Sequence, residues 1–196
     1  PSPRPPAPPA GLAGKRVVVT RAAHQADELD DLLRSRGAEP LPYPCIAIAP
    51  PEDTGALDAA LRAAAAGVFD WLVLTSRNTV AALAERLAAL GLAPTALRRV
   101  ASAAVGAATA RSVERDLGLR AALTPEEFVA EALAAALIAR GPADGRALLC
   151  QADLARPALA EALRAAGWTV TTVVAYRTVI GDGGIRLMEH LAAGAV

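Results

Sequence analysis

The chain has 196 residues, 54% of them hydrophobic, enough apolar material for one core or two small ones. Its 20 basic and 20 acidic side chains cancel to a formal net charge of zero, so no global field draws it to nucleic acid or to an anionic membrane surface. No apolar run reaches the length of a membrane span, because Arg, Glu and Asp interrupt the alanine-rich stretches every few residues, and none of the residues present reads as a secretory signal.

Residues 1–11 open with PSPRPPAPPA and read as an extended, proline-rich linker. Arg16–Thr20 predicts a strand and Gln25–Arg36 an amphipathic helix, with Gly37 as its stop. Pro40, Pro42, Pro44, Pro50 and Pro51 bracket the alternating run Cys45–Ala49, which makes that run an edge strand or an interdomain connector. A helix over Thr54–Ala66 and the strand Trp71–Leu74 follow. Next come a helix from Asn78 to Leu90, a strand near Val100, a helix from Thr109 to Leu117 and a short strand, Leu119–Leu123. Thr124-Pro125-Glu126-Glu127 reads as a capping box with proline at the first helical position, predicting a helix from there to Arg140. The strand Ala147–Cys150, the helix Arg156–Ala166, the strand Thr169–Ala175 and the helix Gly184–Ala193 complete the chain. Such alternation predicts parallel sheets with helices on both faces.

Two of the strand-to-helix turns are polar: Thr75-Ser76-Arg77-Asn78, and Val105-Gly106-Ala107-Ala108-Thr109. A helix N-terminus exposes unpaired N–H groups and a partial positive charge, so these turns suit carboxylates or phosphates. The local alternative is capping: Ser76, Asn78 and Thr109 all suit an N-cap, with no ligand involved. Arg21 and Arg77 follow strand ends, where they reach a carboxylate or simply stay solvated. The cationic charge is almost all arginine, Lys15 being the one lysine, which suits bidentate carboxylate recognition or reflects composition alone. Neither GxGxxG nor GxxxxGK[ST] stands at a strand-to-helix turn, which argues against a dinucleotide or P-loop site. Cys45 and Cys150 lack metal-ligand spacing and read as reduced, buried thiols of a cytoplasmic protein. His24 and His190 are isolated, so no metal site is expected.

The chain also echoes itself. Arg16-Val17-Val18-Val19-Thr20 with Leu29, Leu33, Arg34 and Gly37 matches Arg146-Ala147-Leu148-Leu149-Cys150 with Leu159, Leu163, Arg164 and Gly167, at a constant offset of 130. Each copy leads to a further strand region with a tyrosine, Tyr43 or Tyr176, and the pattern favours duplicated domains.

In order and spacing the chain resembles uroporphyrinogen-III synthase over nearly all of Leu12–Ile180. The likeness rests on Val17-Val18-Val19-Thr20-Arg21 with Gly37-Ala38-Glu39, on Phe69-Asp70-Trp71 leading to Thr75-Ser76-Arg77-Asn78, on Val105-Gly106-Ala107-Ala108-Thr109-Ala110, and on Ala175-Tyr176-Arg177-Thr178. Glu126-Glu127-Phe128-Val129 and Asp153-Leu154-Ala155-Arg156 add to it. The resemblance implies two flavodoxin-like, parallel-sheet α/β domains joined by a two-stranded connector, the second inserted into the first. On this sequence the first would be 12–40 plus 181–196, the connectors 41–51 and 173–180, and the second 52–172. Another strand and a hydroxyl-bearing turn are expected beyond Val196, so the first domain reads as incomplete on its C-terminal side.

The resemblance further implies the cyclisation of hydroxymethylbilane, a linear tetrapyrrole with an acetate and a propionate on each ring. Water is lost and the last ring inverted, giving uroporphyrinogen III, with no cofactor. The unaided chain closes to the uninverted isomer, so the catalyst's task is chiefly positioning. Tyr176 would be the proton donor, a phenol with an ordinary pKa of about 10 being protonated at neutral pH; its alternative role is to anchor its strand with a buried ring. Thr75, Ser76, Arg77, Asn78, Val105, Gly106, Ala107, Thr109 and Gln151 would bind substrate, with Thr20 and Arg21 on the facing wall. Asp153 and Arg156 read as a local helix-start pair, and Tyr43 as packing. The implied protein is a cytoplasmic monomer; some relatives are fused to an upstream tetrapyrrole methyltransferase. Three alternatives stand beside it: a non-catalytic tetrapyrrole sensor in a regulatory fusion, a generic doubly wound domain binding a nucleotide or sugar, and a scaffold without ligand.

Overall fold

A computed structural model describes residues 11–183 and 187–194. The chain divides into two compact units: a discontinuous one, Pro1–Ile48 with Thr178–Val196, and a continuous one, Ala49–Arg177. In chain order the first unit opens with β1 (Arg16–Val19), a 3-10 turn (Ala23–Gln25), α1 (Asp27–Ser35), β2 (Glu39–Pro42) and β3 (Ile46–Ala49). The larger unit contains α2 (Gly55–Ala65), β4 (Trp71–Leu74), α3 (Arg77–Ala89), β5 (Ala101–Ala104), α4 (Ala107–Leu117), β6 (Ala121–Leu123), α5 (Ala130–Arg140), β7 (Arg146–Ala152) and α6 (Ala158–Ala165). Strand β8 (Thr169–Ile180) runs on into the first unit, where α7 (Leu187–Ala192) follows. The helix expected over Gly184–Ala193 thus agrees with α7, while residues 184–186 of that expectation, and residues 1–10 of the linker, lie outside the described residues.

In the smaller unit β1 and β2 pair in parallel, Val17 opposite Pro40 and Val19 opposite Pro42. The amides of Glu39, Tyr43 and Cys45 donate to the carbonyls of Lys15, Val19 and Thr20. The prolines occupy the alternate positions, whose missing N–H falls on the side away from β1. They cost the ladder nothing and deny that edge to a further strand. The core here is small: Val19, Ala26, Leu33 and Ala38, backed by Leu12, Val17 and Leu29. The Tyr43 ring packs on Gly183, where a Cβ would stand 2.8 Å from Cε2, in keeping with a packing role.

The larger sheet has the order β3-β8-β7-β4-β5-β6, with β8, β7, β4, β5 and β6 successively parallel. Side chains alternate across it: Trp71 and Val73 of β4, with Ala103, Ala147 and Leu149, join Leu133, Leu137, Leu159, Leu163 and Trp168 of the α5–α6 layer. Leu72 and Leu74 point the other way and are equally buried. The α/β class, the parallel sheet and the edge position of β3 agree with the sequence reading. The strand order adds to that reading. Counted from β4 it runs 3-2-1-4-5, with the reversal between β4 and β7, where a flavodoxin-like sheet runs 2-1-3-4-5. Both orders obey the same right-handed crossover rule, so strand–helix alternation alone does not say where the reversal falls.

The internal echo persists in three dimensions. Arg16 pairs with Glu39 and Val19 with Pro42; 130 residues on, Arg146 pairs with Thr169 and Leu149 with Thr172. Each helix ends in a left-handed glycine, Gly37 at φ 84° and Gly167 at φ 89°, a conformation glycine adopts without strain. Their amides donate to Arg34 and Arg164, and the next amides, of Ala38 and Trp168, to Leu33 and Leu163. The tyrosines do not correspond: β2 ends at Pro42, before Tyr43, and 130 positions beyond Tyr43 stands Val173.

Three further expectations change. Thr124-Pro125-Glu126-Glu127 caps nothing, since α5 begins at Ala130 with Val129 at its cap; residues 124–129 are irregular, and Phe128 is spent on a tertiary contact described below. Cys150 is buried as expected, with its thiol pushed up to about 12 by desolvation, but Cys45 is exposed because it sits in the bend between β2 and β3. Strand β8 continues without a break past Ala175.

The N-terminal edge of the larger sheet is fastened by Asp70. Its Oδ2 accepts from the Arg146 amide at 2.8 Å, and its Oδ1 from Arg146 Nη2 at 2.8 Å. Its own N–H donates to the Arg146 carbonyl and its carbonyl accepts from Ala101. One residue therefore ties the starts of β4, β7 and β5. The guanidinium hydrogen bonds hold the Asp70 carboxyl below the usual carboxylate range, as Arg86 on α3 does for Asp58 on α2. Because the folded pKa is depressed, this stabilisation is full above the unfolded value of about 4 and is lost as pH falls through the folded pKa. Asp70→Asn is expected to lower the melting temperature at pH 7 by about 4 °C, and thermal melts should show that difference closing as pH drops from about 4 toward 2.

Candidate functional site

Three in-register strands set the site's frame. Leu74 at the end of β4 pairs with Ala104 of β5 on one side and Cys150 of β7 on the other. The next residues, Thr75, Val105 and Gln151, therefore emerge side by side at the C-terminal edge, and the Val105 amide donates to the Leu74 carbonyl. This edge flanks the strand-order reversal, where a doubly wound sheet opens a crevice for ligands.

At the first turn Ser76 is the N-cap of α3, with extended backbone and its Oγ accepting from the Thr79 amide at 3.0 Å. Arg77 is the first helical residue and is exposed; Asn78 is half-buried. At the second turn Gly106 is the N-cap of α4 and offers no side-chain bond. Ala107 is then the first helical residue, and Thr109 is the third, its side chain buried. Capping thus accounts for Ser76, whereas the cap position near Thr109 belongs to Gly106. Neither α3 nor α4 has an acidic residue in its first turn, unlike α1 with Asp27, Glu28 and Asp30. Their positive ends remain unneutralised by local carboxylates.

Tyr176 reaches the same edge through a β-bulge. Gln151 pairs with Val174, but Ala152 pairs with Tyr176, so the register shifts by one residue. Alternation would send Tyr176 the way of the exposed Val174; instead Ala175 and Tyr176 are both buried. The Tyr176 hydroxyl lies 3.3 Å from Ser76 Oγ, which is also 3.0 Å from Thr79 Oγ1. The Tyr176 carbonyl accepts from the Asp153 amide. Its neighbour Arg177 donates to the Pro50 carbonyl and pairs with Glu52 at 2.6 Å, fixing both sides of the tyrosine.

The fold therefore gathers Thr75–Asn78, Val105–Thr109, Gln151 and Tyr176 on one edge of one unit. Thr20 and Arg21 are exposed residues following β1 in the smaller unit. Sequence reasoning missed Phe128 and Thr79. Phe128 is 64% exposed and covers Gly106, where a Cβ would stand 3.1 Å from the ring. An apolar residue directly after two glutamates was the available signal, but the capping-box reading absorbed it. Thr79 was hidden as an ordinary helical residue. Among the described residues no three His, Cys, Asp or Glu converge as a metal-binding group, and no helix is long and apolar enough to cross a membrane.

Together these features define a doubly wound α/β protein whose polar strand-to-helix turns are gathered at the carboxyl edge of a parallel sheet. The chain belongs to the uroporphyrinogen-III synthase family, whose model, described as uroporphyrinogen-III synthase HemD, matches residues 27–196. It is 30% identical to the porphyrin biosynthesis protein HemD of Ruminiclostridium josui over 185 residues, 93% of this chain and 36% of that protein. It is 39% identical to the uroporphyrinogen-III synthase of Synechococcus elongatus over 122 residues, 62% of this chain and 45% of that protein. The chain thus spans less than half the length of these curated relatives. Among solved structures, a mutant uroporphyrinogen III synthase from the extremely thermophilic bacterium Thermus thermophilus matches with TM-score 0.62 and 26% identity, over 93% of this chain and 70% of that one. The wild-type form matches with TM-score 0.53 and 27% identity, over 93% and 69%.

Gly106 has φ −168°, extended backbone open to any residue, so contact with Phe128 is what restricts the position. Gly106→Ala is expected to push the ring aside at a cost of about 1 kcal/mol or less. Denaturant melts should show that cost vanishing in a Phe128→Ala background.

Proposed function

We propose that this chain cyclises hydroxymethylbilane to uroporphyrinogen III, with loss of water and inversion of the last pyrrole ring. Family membership supports the reaction. The observation that carries it is the bond of the Tyr176 hydroxyl to Ser76, beside two helix N-termini that lack acidic residues. A substrate bearing a carboxylate pair on every ring needs such N–H-rich ends to hold its conformation. In this reading Thr75, Ser76, Arg77, Asn78, Val105, Gly106, Ala107, Thr109 and Gln151 hold carboxylates or ring edges. Tyr176 gives its proton to the hydroxymethyl oxygen as the C–O bond breaks, so that water leaves. The ring carbon attacked at closure later loses a proton, which restores the phenol and balances the step.

The reading extends to a monomer and to a cytoplasmic location, the latter supported by two unpaired thiols. It also extends to a tetrapyrrole methyltransferase in the same polypeptide; the Ruminiclostridium josui relative, of which this chain covers 36%, has the length for a further domain.

The test is incubation with freshly prepared hydroxymethylbilane and separation of the type I and type III isomers, using the full-length protein. The protein should yield type III, and Tyr176→Phe should lower kcat by roughly 100-fold, the lower end for lost general-acid catalysis, with the fold unchanged. A phenylalanine variant with undiminished kcat would reduce Tyr176 to a strand anchor, and type I alone from the unaltered protein would refute the reaction. Thr109→Val, similar in volume but lacking the hydroxyl, should raise KM or lower kcat about fivefold. A change confined to melting temperature would assign Thr109 to packing.

A further inference from the structure

The side chains of Tyr176, Ser76 and Thr79 form a chain of three hydroxyls in which Ser76 Oγ is the hub. Ser76 already spends one lone pair on the Thr79 amide, leaving it one proton to give and one lone pair. Its two hydroxyl neighbours must take opposite roles: one receives the Ser76 proton and the other donates to Ser76. If Tyr176 donated, Ser76 would donate to Thr79, and the Thr79 proton would need another acceptor. Thr79 is fully buried, and among the described residues the partner seen for its hydroxyl is Ser76 Oγ. That arrangement would strand the proton of a fully buried hydroxyl, whereas in the opposite one the unpartnered proton falls on Tyr176, which keeps 8% of its surface exposed at the carboxyl edge of the sheet. In the opposite one Thr79 donates to Ser76 and Ser76 donates to the phenol oxygen of Tyr176. The phenol proton is then released from the chain of hydroxyls.

We propose that Thr79 is a positioning residue that sets the direction of this hydroxyl chain and so keeps the Tyr176 proton free for substrate. The inference rests on the reading of Tyr176 as proton donor given above. It also assigns Ser76 a second task, since the same oxygen that caps α3 delivers a hydrogen bond to the phenol.

Thr79→Val keeps the volume and the amide-to-Ser76 cap while removing the hydroxyl. Ser76 can then accept from Tyr176 and hold its proton back. In the full-length protein with hydroxymethylbilane as substrate, kcat is expected to fall roughly five- to tenfold, the scale of one lost hydrogen bond, with KM unchanged. Thr79→Ser should restore kcat. In a Tyr176→Phe background Thr79→Val should have no further effect on kcat, because its action passes through the phenol; Thr79→Ala serves the same cycle should the valine variant not fold. Equal losses from valine in both backgrounds, or failure of serine to rescue, would overturn the proposal and leave Thr79 a packing residue. A Thr79→Val protein with normal kcat beside a slow Tyr176→Phe protein would overturn it while sparing Tyr176 as donor. Normal kcat in both variants would remove Tyr176 from the chemistry and the Thr79 proposal with it.

Discussion

Parallel pairing makes every strand of the larger unit end on the same side, and most of what this chain does follows from that constraint. Because Leu74, Ala104 and Cys150 are level in the ladder, the turns after β4 and β5 cannot open anywhere but on a common edge. Each turn must also begin a helix, since a right-handed crossover is the way back to the next parallel strand. The result is two helix N-termini, side by side, with no carboxylate in either first turn. An edge rich in unpaired N–H groups is thus a by-product of the topology, and it suits a polycarboxylate.

The two edges of the sheet divide the work. At the N-terminal edge Asp70 spends both carboxylate oxygens and both backbone groups on fastening β4 to its neighbours, a structural use of a residue that the family likeness also singles out. At the C-terminal edge the ladder gives way to a bulge, and one displaced residue brings Tyr176 within reach of Ser76. Regular pairing would have left that phenol on the other face. A departure from sheet geometry, held by Arg177 against Pro50 and Glu52, therefore decides which residue joins the hydroxyl chain.

The repeat at an offset of 130 shows how much one short pattern can specify. Strand, helix, left-handed glycine and strand return with the same register and the same helix-terminating hydrogen bonds, although the second strand is Glu-Pro-Leu-Pro in one copy and Thr-Val-Thr-Thr in the other. The prolines confine the first copy to a sheet edge, while the second continues as β8 and becomes an interior strand between β3 and β7. The backbone plan is common to both; the residues on its open side settle whether a further strand can pair.

What could be read from the sequence by itself was the local physics. Alternation of apolar runs with amphipathic stretches located nearly every strand and helix, Ser76 was legible as a cap, Gly37 as a stop, and the prolines as markers of an edge. These depend on residues a few positions apart, so the chain alone contains them. The tertiary structure decided where distant pieces meet. It set the reversal between β4 and β7, the bulge that turns Tyr176, the laying of Phe128 over Gly106 in place of a capping box, and the 100-residue contact from Ser76 to Tyr176. Each rests on register or on competition between packing partners, and neither is written in the periodicity of any single segment.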